Sequence, residues 1–341
     1  FNSRVARYFM EVLLGQGDSS VAGSAARNYG NEPVGGIPWP RKTLPEDAAA
    51  FVASLIRESQ RITVKDETAC FFVSPLDALN IRSTLAETAS NEWLDYCENL
   101  KKIALDSLTV ELQVAAAYEL DEQDLLAIAA EEGQHPTEYS NTNPSPSDIR
   151  RLYLGELDDI VLEIQRQYGS KRFIVKKAFS VERKIDLICH LLRANASSVL
   201  DALKDVVVSQ TTHLYVAESV VSYAIGCAFG RWDIRYATGE KTIPELLDPF
   251  SPLPVCPPGQ LQDAQGFPSR LTDLPAGYPV RISWDGILVD EPNHSMDLEG
   301  CVCEVIGIIW SGQDGKPKAD SIGHELCNVL GVSSLRDYFR K

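Results

Sequence analysis

The side chains best suited to chemistry lie near the end of the chain, where Cys301-x-Cys303 is followed by His324-x-x-Cys327. Four nitrogen and sulfur ligands are what tetrahedral zinc takes, and an i, i+3 pair shares one helix face. Cys301 and Cys303, however, fall in a helical pattern in which side chains two apart diverge, so small buried residues are the weightier reading and no metal is expected. The five histidines, His135, His190, His213, His294 and His324, belong to no Ser/His/Asp or Cys/His signature and read as packing or surface groups. Tyr223, Phe229, Trp232 and Tyr236, with Arg231 and Arg235, could stack bases and touch phosphates. A core helix whose charged tips reach solvent accounts for them more simply.

Enzymes that methylate an adenine amino group need a glycine-rich donor loop and an Asn/Asp/Ser-Pro-Pro-aromatic loop that holds the flipped base. Gly15-Gln16-Gly17 follows a helical pattern rather than a strand and reads as a turn. Asn143-Pro144-Ser145-Pro146 lacks both the second consecutive proline and the aromatic, and reads as linker. No catalytic residue and no cofactor are therefore expected within these 341 residues.

The elements that would position any site are mostly helical. Val5, Tyr8, Phe9 and Leu13 recur at helical spacing, and Leu44-Pro45-Glu46-Asp47 starts a second helix through Phe51, Leu55 and Ile62. The pattern is helical and acidic from Pro75 to about Glu132. Gly133 to Pro146 is the clearest linker. Ser147-Asp148 can cap a run from Leu152 to Ile164, and Ile185–Leu203 and Val216–Tyr236 follow as helices. Pro244 to Pro279 reads as an ordered loop, after which Leu298–Ile309, Ile322–Leu330 and Val332–Phe339 are helical. The expected fold is mainly α with minor β; a family resemblance carried by three separated segments further implies a multi-helix region following the tail of a mixed α/β target-recognition domain. Its expected segments are 1–65, the end of that domain plus a spacer helix; 66–135, acidic and helical; 136–146, linker; 147–240, helical with a basic stretch; and 241–341, loop and C-terminal helices.

Composition bounds the function. No apolar run approaches the roughly 20 residues of a membrane span, so no membrane role is expected. Eight cysteines without framework spacing suggest free thiols in a reducing cytoplasm. The chain opens on Phe1 and reads as cut from something longer at both ends. A net charge of −16 argues against a phosphate backbone as partner, yet residues 1–65 carry 8 basic and 6 acidic groups whereas residues 66–165 carry 5 and 21.

Three separated segments, in order, resemble the large adenine-specific DNA methyltransferases of restriction-modification and BREX phage-defence type. The first is Phe1-Asn2-Ser3-Arg4-Val5-Ala6-Arg7-Tyr8-Phe9 with Asn28-Tyr29 and Ile37-Pro38-Trp39-Pro40, similar to the end of the family's target-recognition domain. The second is Leu112 to Ile128, including Ala117-Tyr118-Glu119-Leu120-Asp121-Glu122, with Glu119 where the family has glycine. The third, Val221-Ser222-Tyr223-Ala224-Ile225-Gly226-Cys227-Ala228-Phe229-Gly230-Arg231-Trp232-Asp233, is followed by Asp248 to Cys256, Asp285-Gly286-Ile287-Leu288 and Leu335-Arg336-Asp337-Tyr338-Phe339.

What the resemblance implies is a parent enzyme that moves methyl from S-adenosylmethionine to adenine in double-stranded DNA, with its donor-binding methyltransferase domain upstream of Phe1. This chain would help choose the sequence and hold the DNA. The expected contacts are Arg4, Arg7, Arg27, Arg41 and Lys42, with Tyr29 and Trp39 as stacking or apolar groups, and the basic stretch Lys171, Arg172, Lys176 and Lys177. The acidic middle segment is expected to meet protein, either the catalytic domain or other defence-system proteins. The alternative is a helical protein–protein interaction scaffold with no DNA contact.

Overall fold

A computed structural model describes residues 3–15, 35–121, 123–125, 127–128, 143–156, 181–204, 210–245, 248, 251–311 and 319–341. Among these the protein is mainly helical, with eleven α-helices, one π turn and one 3-10 turn. No sheet occurs among the described residues, and β structure there is confined to isolated bridges such as Trp232 with Gln260. No described helix is long and apolar enough to cross a membrane. The chain divides into two compact units, residues 1–56 with 100–203 and residues 57–99 with 204–341.

The first unit opens on α1 (Arg4–Gly15). Ser3 starts it, its hydroxyl accepting the Ala6 amide at 3.2 Å. Helix α2 (Ala48–Thr63) begins after Pro45. The long α3 (Leu85–Ala117) contributes its second part here. Its end is set by backbone bonds: the Glu119 amide reaches the Ala116 carbonyl at 3.1 Å and the Leu120 amide the Ala115 carbonyl at 3.2 Å, with Glu119 at φ 56°. This left-handed turn ends α3, and helix resumes at residues 123–125 and 127–128. Upstream, helix starts at Leu85 rather than Pro75, because Ser74 and Asp77 spend their side chains on the Leu76 and Leu79 amides and hold the backbone in turns.

Helix α4 (Pro146–Arg151) is capped by Ser145, two residues before the expected Ser147, since Pro146 presets the first helical φ. A π turn, Leu152–Glu156, continues it. The expected single helix 185–203 is two, α5 (Val181–Leu192) and α6 (Ala196–Lys204). Arg193 at φ 50° breaks the run, and Asn195 restarts it by accepting the Ser198 amide at 2.8 Å.

The second unit is built on α7 (Gln210–Ala228), followed by α8 (Arg235–Thr238), α9 (Leu298–Ser311), α10 (Ala319–Leu330) and α11 (Leu335–Phe339). Helices α7, α9 and α10 pack on one another, and α8 and α11 pack against α9. Small residues let them close. Ala217, Ala224, Cys227 and Ala228 of α7 are buried, as are Val302, Val305, Ile306 and Ile309 of α9. Trp310 closes this core and donates its indole N–H to the Arg82 carbonyl at 3.0 Å. Arg336 of α11, its side chain only 12% exposed, joins Asp290, Asp297 and Glu299. The residues from 251 to 285 form a loop, as expected from their prolines, interrupted by the 3-10 turn Leu271–Asp273.

Candidate nucleic-acid interface

Three of the expected DNA-contact residues, Trp39, Arg41 and Lys42, lie at the C-terminal end of α3 within the first unit, while Arg4 meets α3 earlier, at Glu111, with its Nε buried. The Arg4 amide donates to both carboxylate oxygens of Glu111, at 2.9 and 3.1 Å. Phe9 of α1 lies against Tyr118, ring centroids 5.5 Å apart. The Tyr118 hydroxyl donates to the Pro38 carbonyl at 2.8 Å, and the Lys42 amide donates to the Ala117 carbonyl at 3.0 Å. The backbone on both sides of Trp39 is thus tied to α3. The indole itself, between two prolines that cannot join a helix or a ladder, stands 89% exposed.

Arg41 and Lys42 point to one carboxylate. Lys42 Nζ lies 2.9 Å from Glu119 Oε1 and Arg41 Nη1 lies 3.7 Å from Oε2. The hydrogen bond from Lys42 holds the Glu119 carboxyl below its usual range. Arg7 is exposed on α1. The expected contacts Arg27, Tyr29, Lys171, Arg172, Lys176 and Lys177 lie outside the described residues. Glu119 and Tyr118 were not singled out from the sequence as part of this surface; the signal available was the acidic residue at a position where the resembling family has glycine.

The third resembling segment folds in the second unit as a helix end. Gly230 takes φ 67°, and its amide and that of Arg231 reach the Cys227 and Gly226 carbonyls at 3.0 and 2.8 Å. This reversal turns Trp232 back onto α7. A Cβ on Gly226 would meet Trp232 Cδ1 at 2.1 Å. The indole is 1% exposed, rests 4.5 Å centroid to centroid from Phe72, and donates to Glu67 Oε1 at 2.7 Å. Glu67 also accepts the Ser222 hydroxyl at 2.6 Å.

Beside it Asp233 is fully buried. Arg235 binds both its oxygens, at 2.8 and 2.7 Å, and Lys241 approaches to 3.3 Å. Burial alone would push this carboxyl up, but the bonds and charge of Arg235 and Lys241 outweigh it and hold the group below its ordinary value. Trp232 and Tyr223 are therefore core residues, as their simpler reading held, and Arg231 lies over the Trp232 ring at 4.3 Å. An open pocket of about 240 Å³ lies on this unit, lined among others by Lys65, Asp66, Glu67, Tyr215 and Ser222. Lys65 is committed to Glu92 and Asp95, at 2.6 and 2.7 Å.

Cys301 is buried and Cys303 exposed on α9, so the pair diverges as i, i+2 residues of a helix must. Among the described residues no group of three or more His, Cys, Asp or Glu side chains could hold a metal ion. Compared with protein-family models, curated proteins and solved structures, the chain matches none of them.

Proposed function

We propose that this chain is the DNA-recognition and structural part of an S-adenosylmethionine-dependent, adenine-specific DNA methyltransferase of the restriction-modification or phage-defence kind, the donor site belonging to the rest of the parent enzyme. The observation that carries the reading is Trp39: a large ring 89% exposed, its flanking backbone tied to α3, with Arg41 and Lys42 next to it in sequence. Aromatic faces held out to solvent beside cations are how proteins stack on bases while meeting phosphates. The three ordered sequence segments support the same reading. All eight cysteines are free thiols, which suits a cytoplasmic setting.

The scaffold alternative is favoured by a different observation, the exposed Leu253 and Val255 in the proline-rich loop, which suit a protein partner. Binding of a fluorescent duplex at about 50 to 200 mM salt separates the two readings. Trp39→Ala is expected to cost about 1–3 kcal/mol of affinity if the ring stacks, and Arg41→Gln with Lys42→Gln to weaken binding most at low salt. No binding at low salt, or identical binding by wild type and both variants, refutes the DNA reading and leaves the scaffold.

A further inference from the structure

Glu119 occupies a backbone conformation that favours glycine, and its carboxylate engages the two cations on which the DNA reading relies. At φ 56° a side chain carries a steric cost that glycine would not. What the side chain does there is visible: one oxygen meets Lys42 at 2.9 Å and the other faces Arg41 at 3.7 Å. Two oxygens on one centre, one for each cation, is also what a phosphodiester offers.

We propose that Glu119 is an intramolecular stand-in for a DNA phosphate, holding Arg41 and Lys42 in the free protein and giving them up to the duplex backbone on binding. The inference rests on the DNA reading and deepens it, because it names a residue that sets affinity without touching DNA. Three features make the exchange feasible. The Arg41 and Lys42 side chains are 80% and 65% exposed, so a phosphate can reach them. Ion pairs in water are weak, so this one opens at little expense. The loop backbone is fixed independently, by the Lys42 amide on the Ala117 carbonyl and the Tyr118 hydroxyl on the Pro38 carbonyl, so the side chains can change partner while the loop stays in place.

The test compares wild type, Glu119→Gln, Glu119→Gly and Glu291→Gln in binding to one fluorescent duplex across a salt series. Glu291 is an exposed carboxylate of the second unit, and its variant makes the same change in net charge. Glu119→Gly removes the carboxylate while keeping the turn. Both Glu119 variants are expected to tighten the low-salt Kd by about two- to fivefold, the scale on which exposed charge pairs act. The gain should shrink as salt rises, and Glu291→Gln should stay within about twofold of wild type. If wild type and the Glu119 variants bind equally, if Glu119→Gln binds more weakly, or if Glu291→Gln tightens as much, the stand-in role is overturned while the DNA reading survives. If none of the four binds, both fall.

Discussion

Gly226→Ala is a single methyl group aimed at the buried ring of Trp232. Its Cβ would lie 2.1 Å from Trp232 Cδ1 and 2.5 Å from Nε1, whereas carbon atoms sit comfortably at about 3.5–4.0 Å. The indole must retreat by roughly 1.4 Å to restore contact distance. A shift of that size along the bond would carry Nε1 out of reach of Glu67 Oε1, now 2.7 Å away. The ring also packs on Phe72, 4.5 Å away between centroids, so a displacement disturbs that contact as well. Overpacking of a tight core costs about 1–3 kcal/mol, and a hydrogen bond to a charged acceptor contributes about 1.5–3 kcal/mol. Against this, alanine in place of glycine inside a helix gains about 1 kcal/mol. The net expectation is a loss of about 2–4 kcal/mol, which for a unit of this size is a fall in Tm of about 4–15 °C. Thermal unfolding followed by near-ultraviolet circular dichroism measures it. Trp232→Leu combined with Gly226→Ala should lose less than the two single losses added together, because the methyl group then enters space the ring has left. A Gly226→Ala protein as stable as wild type, or strict additivity with Trp232→Leu, would refute the packing of Trp232 on Gly226.

Acid should expose the Asp233 network. A carboxylate held below its ordinary value by Arg235 and Lys241 contributes stability above the unfolded-state value of about 3.9, and loses it as pH falls through the lower folded value. Urea midpoints measured between about pH 5 and pH 2 should therefore drop more steeply for wild type than for Asp233→Asn, which has no proton to take up there. The thiols divide by burial. Desolvation pushes Cys97 and Cys189 up to about 12 and Cys227 well above its ordinary value, so at pH 8 a thiol reagent should modify exposed Cys70 and Cys303 first and reach those three only on unfolding, as peptide mapping over time would show.

Helix α9 was legible because packing and periodicity agree there: most apolar positions of Leu298–Ile309 are its buried face, whereas the expected helix Val216–Tyr236 ends at Ala228, where Gly230 turns the chain, and a short helix restarts at Arg235. What the periodicity missed were interruptions made by single residues. Nothing in the pattern of residues 185–203 marks Arg193 as left-handed, since arginine is an ordinary helix former and its φ of 50° follows from the Ala194 amide closing on the Cys189 carbonyl at 3.0 Å. The helical reading from Pro75 began about ten residues early for the opposite reason, because Ser74 and Asp77 carry a local signal that the apolar spacing outweighed. At the candidate interface, the non-helical backbone around Trp39 follows from its prolines, and its proximity to α3 does not. That proximity depends on Tyr118 and Ala117, about 80 residues downstream, a separation no local pattern encodes.

The surplus of acid in residues 66–165 also takes on a different meaning once its partners are known. Several of its carboxylates have partners within the chain. Glu92 and Asp95 hold Lys65, Glu98 holds Lys204, Glu111 accepts the Arg4 amide, and Glu67 accepts Trp232 and Ser222. Removing these charges would loosen loops and helix ends before it made the protein a better ligand for DNA. The total of −16 is therefore a poor guide to what the surface around Trp39 attracts. Exposed charges act over about 8–10 Å at physiological salt. Within the stretch from 35 to 47 the balance is set by Arg41 and Lys42 against Glu46, Asp47 and the intruding Glu119, so on the proposed DNA reading a change at Glu119 should alter affinity more than an equal change of net charge elsewhere.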